Sequence, residues 1–287
     1  MRSTSRFPSA RVERPSVRSH GFTLVEVVVL LAVVTALTAL LMPTLAAMVA
    51  SDNERATRER AEAIYTAIYG DPARGEFGYL GDMGRLPATL TELVERGTQP
   101  AWHTADGGVD HVGKVGTGWR GPYLRDFFST SDLLTDAWAQ PFSFSNGQIT
   151  SGGPDGQTST TGDNIVFPVH AAPATGTMFV SVLANRIPDA YGATAKLYTT
   201  ANGEQTASAT NKNTGQSTFD GFWFENVTQG LHVLKVAHTG ADSNNNCLTV
   251  TRFVTVAVYA GQQAVRDVRM LTNADVKVTD NPCTIPD

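Results

Sequence analysis

The feature that most constrains this chain is an uncharged apolar segment near its N-terminus. Residues 27–51 contain no Asp, Glu, Lys or Arg and consist mainly of Val, Leu, Ala and Met. As a helix that rises about 1.5 Å per residue, this segment is long enough to cross the roughly 30 Å hydrocarbon layer of a bilayer. The sequence therefore predicts one membrane-spanning helix. Pro43 lies inside the segment and predicts a kink or local loss of helix at residues 39–43.

The residues before this segment are basic. Residues 1–21 contain five Arg and one Glu, a net charge of +4 (5 − 1), whereas the whole chain of 287 residues carries −5. A basic segment before an apolar one is typical of targeting sequences, and it favours a cytoplasmic N-terminus. A secretory signal peptide or a plain signal anchor is the commoner meaning of such a start. Neither reading fits this chain well. The apolar run is longer than the apolar core of a signal peptide, and the acidic residue Glu26 lies at its beginning.

An ionised carboxylate in hydrocarbon costs about 3 kcal/mol, so Glu26 requires a partner. The residues around it resemble the class III signal of type IV pilins and type II secretion pseudopilins: Gly21-Phe22-Thr23-Leu24-Val25-Glu26, followed by the apolar run with Pro43. The resemblance implies that a prepilin peptidase cuts between Gly21 and Phe22 and methylates the new amine. It also implies that Glu26 pairs with this amine, or with that of a neighbouring subunit, and so sets the subunit register during assembly. A cationic amine lowers the cost of the buried acid.

Beyond Ser51 the pattern becomes amphipathic, with Glu54 and Arg58 at ion-pair spacing. The helix is predicted to continue to Tyr69 and to stop at Gly70-Asp71-Pro72. A helix over residues 23–69 would be roughly 70 Å long. That length suits a filament subunit better than a separate soluble domain.

Residues 71–168 are predicted to form a small head. Thr89, with Glu92 three residues later, predicts a capped short helix. Asn146-Gly147 predicts a hairpin turn between strands 142–144 and 148–150. Residues 136–142 resemble the Asp-Pro-Trp-Gly-x-Pro-Tyr segment of the major pseudopilin of type II secretion, although Ala137 and Ala139 differ from that pattern.

The loop that follows, residues 150–165, is dense in Asp, Ser, Thr and Gly. Such a loop offers carboxylate, hydroxyl and carbonyl oxygens to a hard cation, but it has too few acids for an EF-hand. An ordinary polar surface turn is the alternative reading. In the major pseudopilins the equivalent loop binds calcium. The resemblance implies a structural calcium ion with carboxylate ligands from Asp155 and Asp163, a hydroxyl from Thr160, and carbonyl ligands from Gly152 and Gln157.

After a linker at 169–176, residues 177–287 predict a separate antiparallel β-sandwich. The expected strands are 178–183, 193–199, 222–227, 231–237, 248–259 and 264–271. Residues 218–232 loosely resemble carboxypeptidase-regulatory-like sandwiches, and Trp223 is expected in the core rather than on a sugar-stacking surface. An exported chain meets an oxidising compartment, so Cys247 and Cys283 are expected to form a disulfide, with two unpaired thiols as the alternative.

The predicted class is α+β: a cleaved leader (1–21), a long helix (22–70), a head (71–168) and the sandwich. The low charge fraction and acidic balance exclude a nucleic-acid-binding role, and the chain carries no catalytic motif, so an enzyme is not expected. The resemblance implies a pseudopilin in the inner membrane with its head in the periplasm. Its expected partners are other pseudopilins, the prepilin peptidase and an inner-membrane assembly platform. The alternatives are a type IV pilin or minor pilin adhesin with a ligand-binding sandwich, and a membrane-anchored enzyme or sensor.

Overall fold

The computed structural model describes residues 23–104, 115–124, 134–160, 162–184, 187–188, 193–207, 221–241 and 247–270. The chain separates into two compact units, Met1–Ser51 and Asp52–Asp287. The α+β class is confirmed, with a long apolar N-terminal helix, small antiparallel sheets and a β-rich C-terminal part. The division into leader, head, linker and sandwich stays a prediction.

Helix α1 is Leu24–Tyr69, 46 residues long. Over residues 24–51 every side chain is exposed within its unit, from 45% for Val27 to 80% for Leu24 among the large apolar residues. This part of α1 is long and apolar enough to cross a membrane, consistent with a single-pass membrane protein. An apolar surface of this extent requires cover by lipid or by another protein.

Of the two outcomes predicted at residues 39–43, the local loss of helix is wrong, because α1 is unbroken through Pro43, and the kink stays a prediction. Proline removes one backbone donor, but the bonds on either side hold the helix. Threonine hydroxyls add to them: Thr38 donates to the carbonyl of Val34 at 2.8 Å and Thr44 donates to that of Leu41 at 2.7 Å.

The second part of α1 carries one buried face. Buried residues recur every three or four positions from Thr57 to Ala67, as one side of an amphipathic helix requires, and the last turn adds two more. They are Thr57, Ala61, Ile64, Ala67, Ile68 and Tyr69. The helix ends where predicted. Gly70 adopts a left-handed conformation, with φ +76°, and its N–H donates to the carbonyl of Thr66 at 2.7 Å.

The head is built from short elements around this face. They are the 3-10 turns Pro72–Arg74, Leu90–Leu93 and Gly153–Asp155, helix α2 (Gly78–Met83), the strand pair β1 (His103–Thr104) and β2 (Gly116–Thr117), and the sheet β3 (Ser143–Ser145), β4 (Gln148–Ser151) and β5 (Ile165–Phe167). All three strands of that sheet are antiparallel. Tyr79, Leu80, Met83 and Leu93 join the buried face of α1 in one core.

The hairpin prediction is confirmed and the capping prediction at Thr89 is wrong. Asn146 and Gly147, at φ 50° and 75°, connect β3 to β4 in the two-residue turn that positive φ favours. Thr89 precedes the 3-10 turn, but its side chain caps no backbone donor and instead contacts the Thr91 hydroxyl at 2.6 Å. The Glu92 carboxylate instead accepts hydrogen bonds from the Tyr79 hydroxyl and from Arg85 Nη1.

The C-terminal part forms two sheets. Its strands are β6 (Thr175–Ala184), β7 (Ile187–Pro188), β8 (Ala193–Ala201), β9 (Glu204–Ala207), β10 (Gly221–Thr228), β11 (Gly230–Ala241), β12 (Cys247–Val258) and β13 (Gln263–Met270). One sheet has the order β10-β6-β13, with β7 on the end of β6, and the other has the order β12-β11-β8-β9. Side chains from both sheets meet in one core, which includes Met178, Val180, Phe222, Leu234 and Val256.

The expectation of a wholly antiparallel sandwich is wrong in one pairing. β13 runs parallel to β6, with Val265 opposite Phe179. A parallel neighbour requires a long connection. Here that connection consists of every strand from β7 to β12, and the turn after Val258 carries the chain from one sheet to the other.

The sandwich packs directly against the head within the second unit. Phe77 stacks on Tyr259 with ring centroids 5.0 Å apart, and Val115 packs with Tyr198 and Val233. Gly81 and Gly230 approach so closely that a Cβ on Gly81 would lie 3.3 Å from the Gly230 Cα. The segment predicted as a linker takes part as well, since Ala172 and Ala174 pack on the head core and β6 begins at Thr175.

Candidate functional site

Thr23 caps the N-terminus of α1. The Thr23 hydroxyl accepts a hydrogen bond from the Glu26 backbone N–H at 3.3 Å, which satisfies one of the donors that a helix start leaves free. Thr-x-x-Glu is the capping-box spacing, so this contact could have been predicted from the sequence. Glu26 is exposed in the first turn, where the helix dipole favours an acid. Gly21 and Phe22 lie outside the described residues.

Asp136 organises the turn that resembles the pseudopilin segment. It is 1% exposed, and its Oδ1 accepts the backbone N–H groups of Trp138 and Gln140, each at 2.9 Å. Its Oδ2 accepts the Ser151 hydroxyl at 2.6 Å, and the Ser151 oxygen in turn accepts the Gly153 N–H at 3.0 Å. A buried carboxylate is tolerated when hydrogen bonds replace its water in this way. Asp136 thus connects the turn to the first residues of the predicted calcium loop.

The same turn is attached to α1. Arg60 donates from Nη1 to the carbonyl oxygens of Thr135 and Asp136, at 3.0 and 2.7 Å. The hydroxyl of Thr57, which is fully buried, accepts the Ala137 N–H at 3.1 Å. Ala139 sits in the left-handed region at φ 60°, at the position where the pseudopilin segment has glycine. Sequence reasoning noticed the departure at Ala139 but had no means of placing it at positive φ.

The structure brings three of the predicted calcium ligands into direct contact. The Thr160 hydroxyl lies 2.9 Å from Asp155 Oδ2 and 2.8 Å from the Gln157 carbonyl oxygen, and Asp155 Oδ1 accepts the Gln157 N–H at 2.8 Å. All three residues are exposed. Gly152 is buried against the backbone of Gly156 and Gln157, where a Cβ would approach within 2.5 Å.

The remaining predicted ligand, Asp163, lies beside Gly153: a Cβ there would be 2.4 Å from the Asp163 carbonyl oxygen and 3.2 Å from its Oδ2. Sequence reasoning missed Asn164. Its Nδ2 donates to the Thr158 carbonyl at 3.0 Å, while its Oδ1 is buried and has no hydrogen-bond partner among the described residues. An orphaned amide oxygen at this loop is the kind of donor that calcium accepts.

The described residues contain no group of three or more His, Cys, Asp or Glu side chains that could hold a metal ion. The loop supplies two carboxylates, and its other oxygens come from a hydroxyl, carbonyls and the Asn164 amide. Its donor set is therefore of the oxygen-rich, low-charge kind that suits calcium better than a transition metal.

A second buried polar network lies in the head, and sequence reasoning missed it. Asp82 is 6% exposed, and its Oδ2 accepts Arg120 Nε and the Tyr123 hydroxyl, each at 3.0 Å. Burial raises the pKa of Asp82 to about 6, even though the Arg120 charge beside it acts in the opposite direction. Arg120 also stacks over the Trp102 ring, 5.0 Å from its centroid. The network joins α2 to the residues that follow β2.

Trp223 occupies a different place from the one expected. Phe222 and Phe224 lie in the sandwich core, but Trp223 between them is 38% exposed. Strand alternation explains this, because successive side chains point to opposite faces. The disulfide stays a prediction, because Cys283 and the side chain of Cys247 lie outside the described residues.

No protein-family model matches this chain, and no curated protein matches it. Among solved structures, the chain is similar to a crystal structure of a candidate carbohydrate binding protein from Pseudomonas aeruginosa. The likeness has 10% sequence identity, covers 36% of this chain and 94% of that chain, and has a TM-score of 0.25. A likeness of that size supports no statement about this chain's ligand.

Proposed function

We propose that this protein is a structural subunit of a type II secretion-like filament, a pseudopilin that helps to export proteins across the outer membrane. The observation that carries the proposal is the signal Gly21-Phe22-Thr23-Leu24-Val25-Glu26 directly before an apolar helix. After cleavage the helix would begin two residues from the new N-terminus, with Glu26 in its first turn. The uncovered apolar surface of residues 24–51 suits a span that leaves the bilayer and packs against copies of itself.

Mass spectrometry of the N-terminus of the membrane-bound protein tests the class. The proposal expects a chain that starts at Phe22 and carries a methyl group on its amine. A retained leader would place the protein among ordinary signal anchors, and a start near residue 51 would return it to ordinary secretion.

Replacement of Glu26 tests assembly. Glu26→Leu removes the charge that would pair with the N-terminal amine. Filaments detected by cross-linking, or recovered by shearing, should therefore be lost, while the protein stays in the inner membrane. Glu54→Leu is the matched control, because Glu54 is an acid of the same helix that lies beyond the apolar segment and is paired with Arg58 at 2.7 Å. Normal filament yield from the Glu26→Leu protein would contradict the proposed role of the acid.

We also infer that the loop of residues 150–165 binds a structural calcium ion. Asp155, Asp163, Thr160 and the carbonyls of Gly152 and Gln157 would hold it, and Asn164 Oδ1 would add a further oxygen. Ligand binding to the folded state alone stabilises it, by about 2.7 kcal/mol at a free concentration 100 times the dissociation constant. Calcium should therefore raise the unfolding temperature of the wild type but not of Asp155→Asn or Asp163→Asn. Asp52→Asn, at an exposed helical site, should respond like the wild type.

A second candidate is a pilin or minor pilin adhesin in which the sandwich binds a ligand. The exposure of Trp223 favours it. Labelling of intact cells with a membrane-impermeant reagent separates the two candidates. A pseudopilin that stays in the envelope would be protected, whereas an adhesin would be labelled.

A further inference from the structure

We propose that the outer face of the sheet β10-β6-β13 binds a neutral saccharide, with a sugar ring stacked on Trp223 and its hydroxyl groups held by polar side chains of the adjoining cavity. This site does not depend on the filament role, because every residue that forms it lies in the sandwich.

The centre of the site is one cross-strand row. Trp223 on β10 is opposite Phe179 on β6, and Phe179 is opposite Val265 on β13. The Trp223 and Phe179 ring centroids are 4.9 Å apart with their planes at 47°. Trp223 and Val265 remain 38% and 61% exposed. Side chains at these positions point outward because their neighbours in sequence, Phe222 and Phe224 among them, fill the core.

Phe179 lies along the sheet. A Cβ at Gly221, the next residue of β10 before Phe222, would be 2.4 Å from the Phe179 ring, so the ring covers the space that any larger residue would need. Glycine at position 221 therefore allows the Phe179 ring to lie against the sheet beside Trp223. The result is a low apolar platform of two aromatic rings and a valine.

A polar cavity of about 350 Å³ adjoins the platform on the same sheet. Thr177 and Gln263, which form a cross-strand pair two residues before the Phe179–Val265 pair, are among its lining residues. Glu225 and Asn226 line it too, at a register shift between Phe224 and Val227 where Asn226 has a positive φ of 54°. Bulges of this kind re-aim side chains and are frequent beside binding sites.

The chemistry favours a neutral, hydroxyl-rich ring. A pyranose presents C–H groups on one face, which stack on an aromatic ring, and hydroxyls at its rim, which bond to carboxylate, amide and hydroxyl groups such as those of Glu225, Gln263 and Thr177. The described residues that line the cavity include no Lys, Arg or His. An anionic glycan would therefore meet the Glu225 carboxylate without a compensating charge.

Calorimetric titration of the full chain tests the proposal, in a detergent that has no sugar headgroup. The probes are cellohexaose, laminarihexaose and chitohexaose, with a proline-rich decapeptide as the competing occupant of an aromatic surface. Binding of at least one hexasaccharide is expected, and Trp223→Ala should weaken it about tenfold or more, the amount that loss of one stacked ring implies. Trp102→Ala is the matched control, since Trp102 is 39% exposed in the head, and it should bind like the wild type.

Glu225→Gln provides a second variant in case Trp223→Ala disturbs folding, which circular dichroism would reveal. It keeps the shape of the side chain and should also weaken binding, because an amide is a poorer acceptor for sugar hydroxyls than a carboxylate. Three results would overturn the proposal. They are no binding of any hexasaccharide up to about 10 mM, binding that is unchanged in both variants, or binding of the peptide alone.

Discussion

The side-chain amide of Gln229 donates to the carbonyl oxygen of Tyr69, the last residue of α1, although the two residues are 160 positions apart. The same nitrogen donates to the Phe77 carbonyl at 3.2 Å, and Gln229 Oε1 accepts the Ala260 N–H at 3.2 Å. Gln229 is 3% exposed and lies between β10 and β11. One residue of the sandwich thus satisfies a backbone carbonyl that the end of the long helix leaves without a helical partner.

Replacement of Gln229 should weaken this junction. Gln229→Leu removes the partners of the Tyr69 carbonyl and of the Ala260 N–H, whereas the Phe77 carbonyl still accepts the Gly81 N–H at 3.0 Å. Two buried polar groups without partners should cost about 2–4 kcal/mol in the free energy of unfolding. Chemical denaturation of the detergent-solubilised chain measures the change. Gln262→Leu, which replaces an exposed glutamine, should cost less than about 0.5 kcal/mol. Equal stability of the two variants would contradict the role of Gln229.

Asp136 should be among the most sensitive polar residues of the head. Asp136→Ala leaves the N–H groups of Trp138 and Gln140 without an acceptor, so we expect a loss of about 3 kcal/mol in stability. Asp136→Asn keeps one acceptor oxygen and should lose less. Thermal unfolding compares both with Asp52→Asn, an exposed acid on α1 whose replacement should be nearly neutral. If Asp136→Ala unfolds at the same temperature as the wild type, the turn does not depend on the Asp136 carboxylate.

Ala139 offers a stabilising replacement. A non-glycine residue in the left-handed region is strained by about 1 kcal/mol or more, and glycine removes that strain. Ala139→Gly should therefore raise the free energy of unfolding by about 1 kcal/mol. Ala137→Gly is the control, since Ala137 lacks a positive φ and glycine there should be neutral or destabilising. If both glycine variants lose stability, the strain at Ala139 is relieved by other contacts.

His232 should make the protein less stable in acid. It is fully buried on β11, its Nε2 bonds to the Thr228 carbonyl at 2.7 Å, and its Nδ1 has no partner among the described residues. Burial lowers the pKa of His232 from 6.5 to about 4. Between pH 6.5 and about 4, His232 is therefore mostly protonated in the unfolded chain and mostly neutral in the folded chain. The folded state should lose up to about 3 kcal/mol as the pH falls from 6.5 to 4.

The measurement for His232 is the free energy of unfolding at several pH values for the wild type and for His232→Gln, which keeps a donor for the Thr228 carbonyl. The difference between them should grow as the pH falls through this window. The raised pKa of Asp82 has the opposite effect, because it increases the free energy of unfolding as the pH falls from about 6 to 4. This contribution is the same in both proteins and does not affect their difference. His170→Gln, at an exposed site, should follow the wild type. Parallel curves for wild type and His232→Gln would contradict the prediction.

Features with a short-range cause could be predicted from the sequence. The end of α1 at Gly70 and the turn at Asn146-Gly147 depend on backbone freedom at positive φ, which only a few residue types have. The six long strands of the sandwich were predicted to within a few residues, because alternation of apolar and polar side chains has a period of two. The short strands β7 and β9 lack enough alternating residues to be noticed.

Features with a long-range cause could not be predicted. No local pattern indicates that Gln229 meets Tyr69, that Asp136 bonds to Ser151, or that β13 pairs in parallel with β6. The aromatic neighbours of Trp223 predict a place in the core, whereas the sheet register turns its side chain outward beside Phe179.

The sequence by itself determined the uncharged span, the helix end, the hairpin turn and the strand pattern, since propensity, periodicity and charge act over a few neighbouring residues. Tertiary structure alone decided which buried polar groups find partners, how the sandwich attaches to the head, and which aromatic side chains face solvent. These outcomes depend on residues brought together from distant parts of the chain, and the free energy of each contact exists only when the whole second unit is folded.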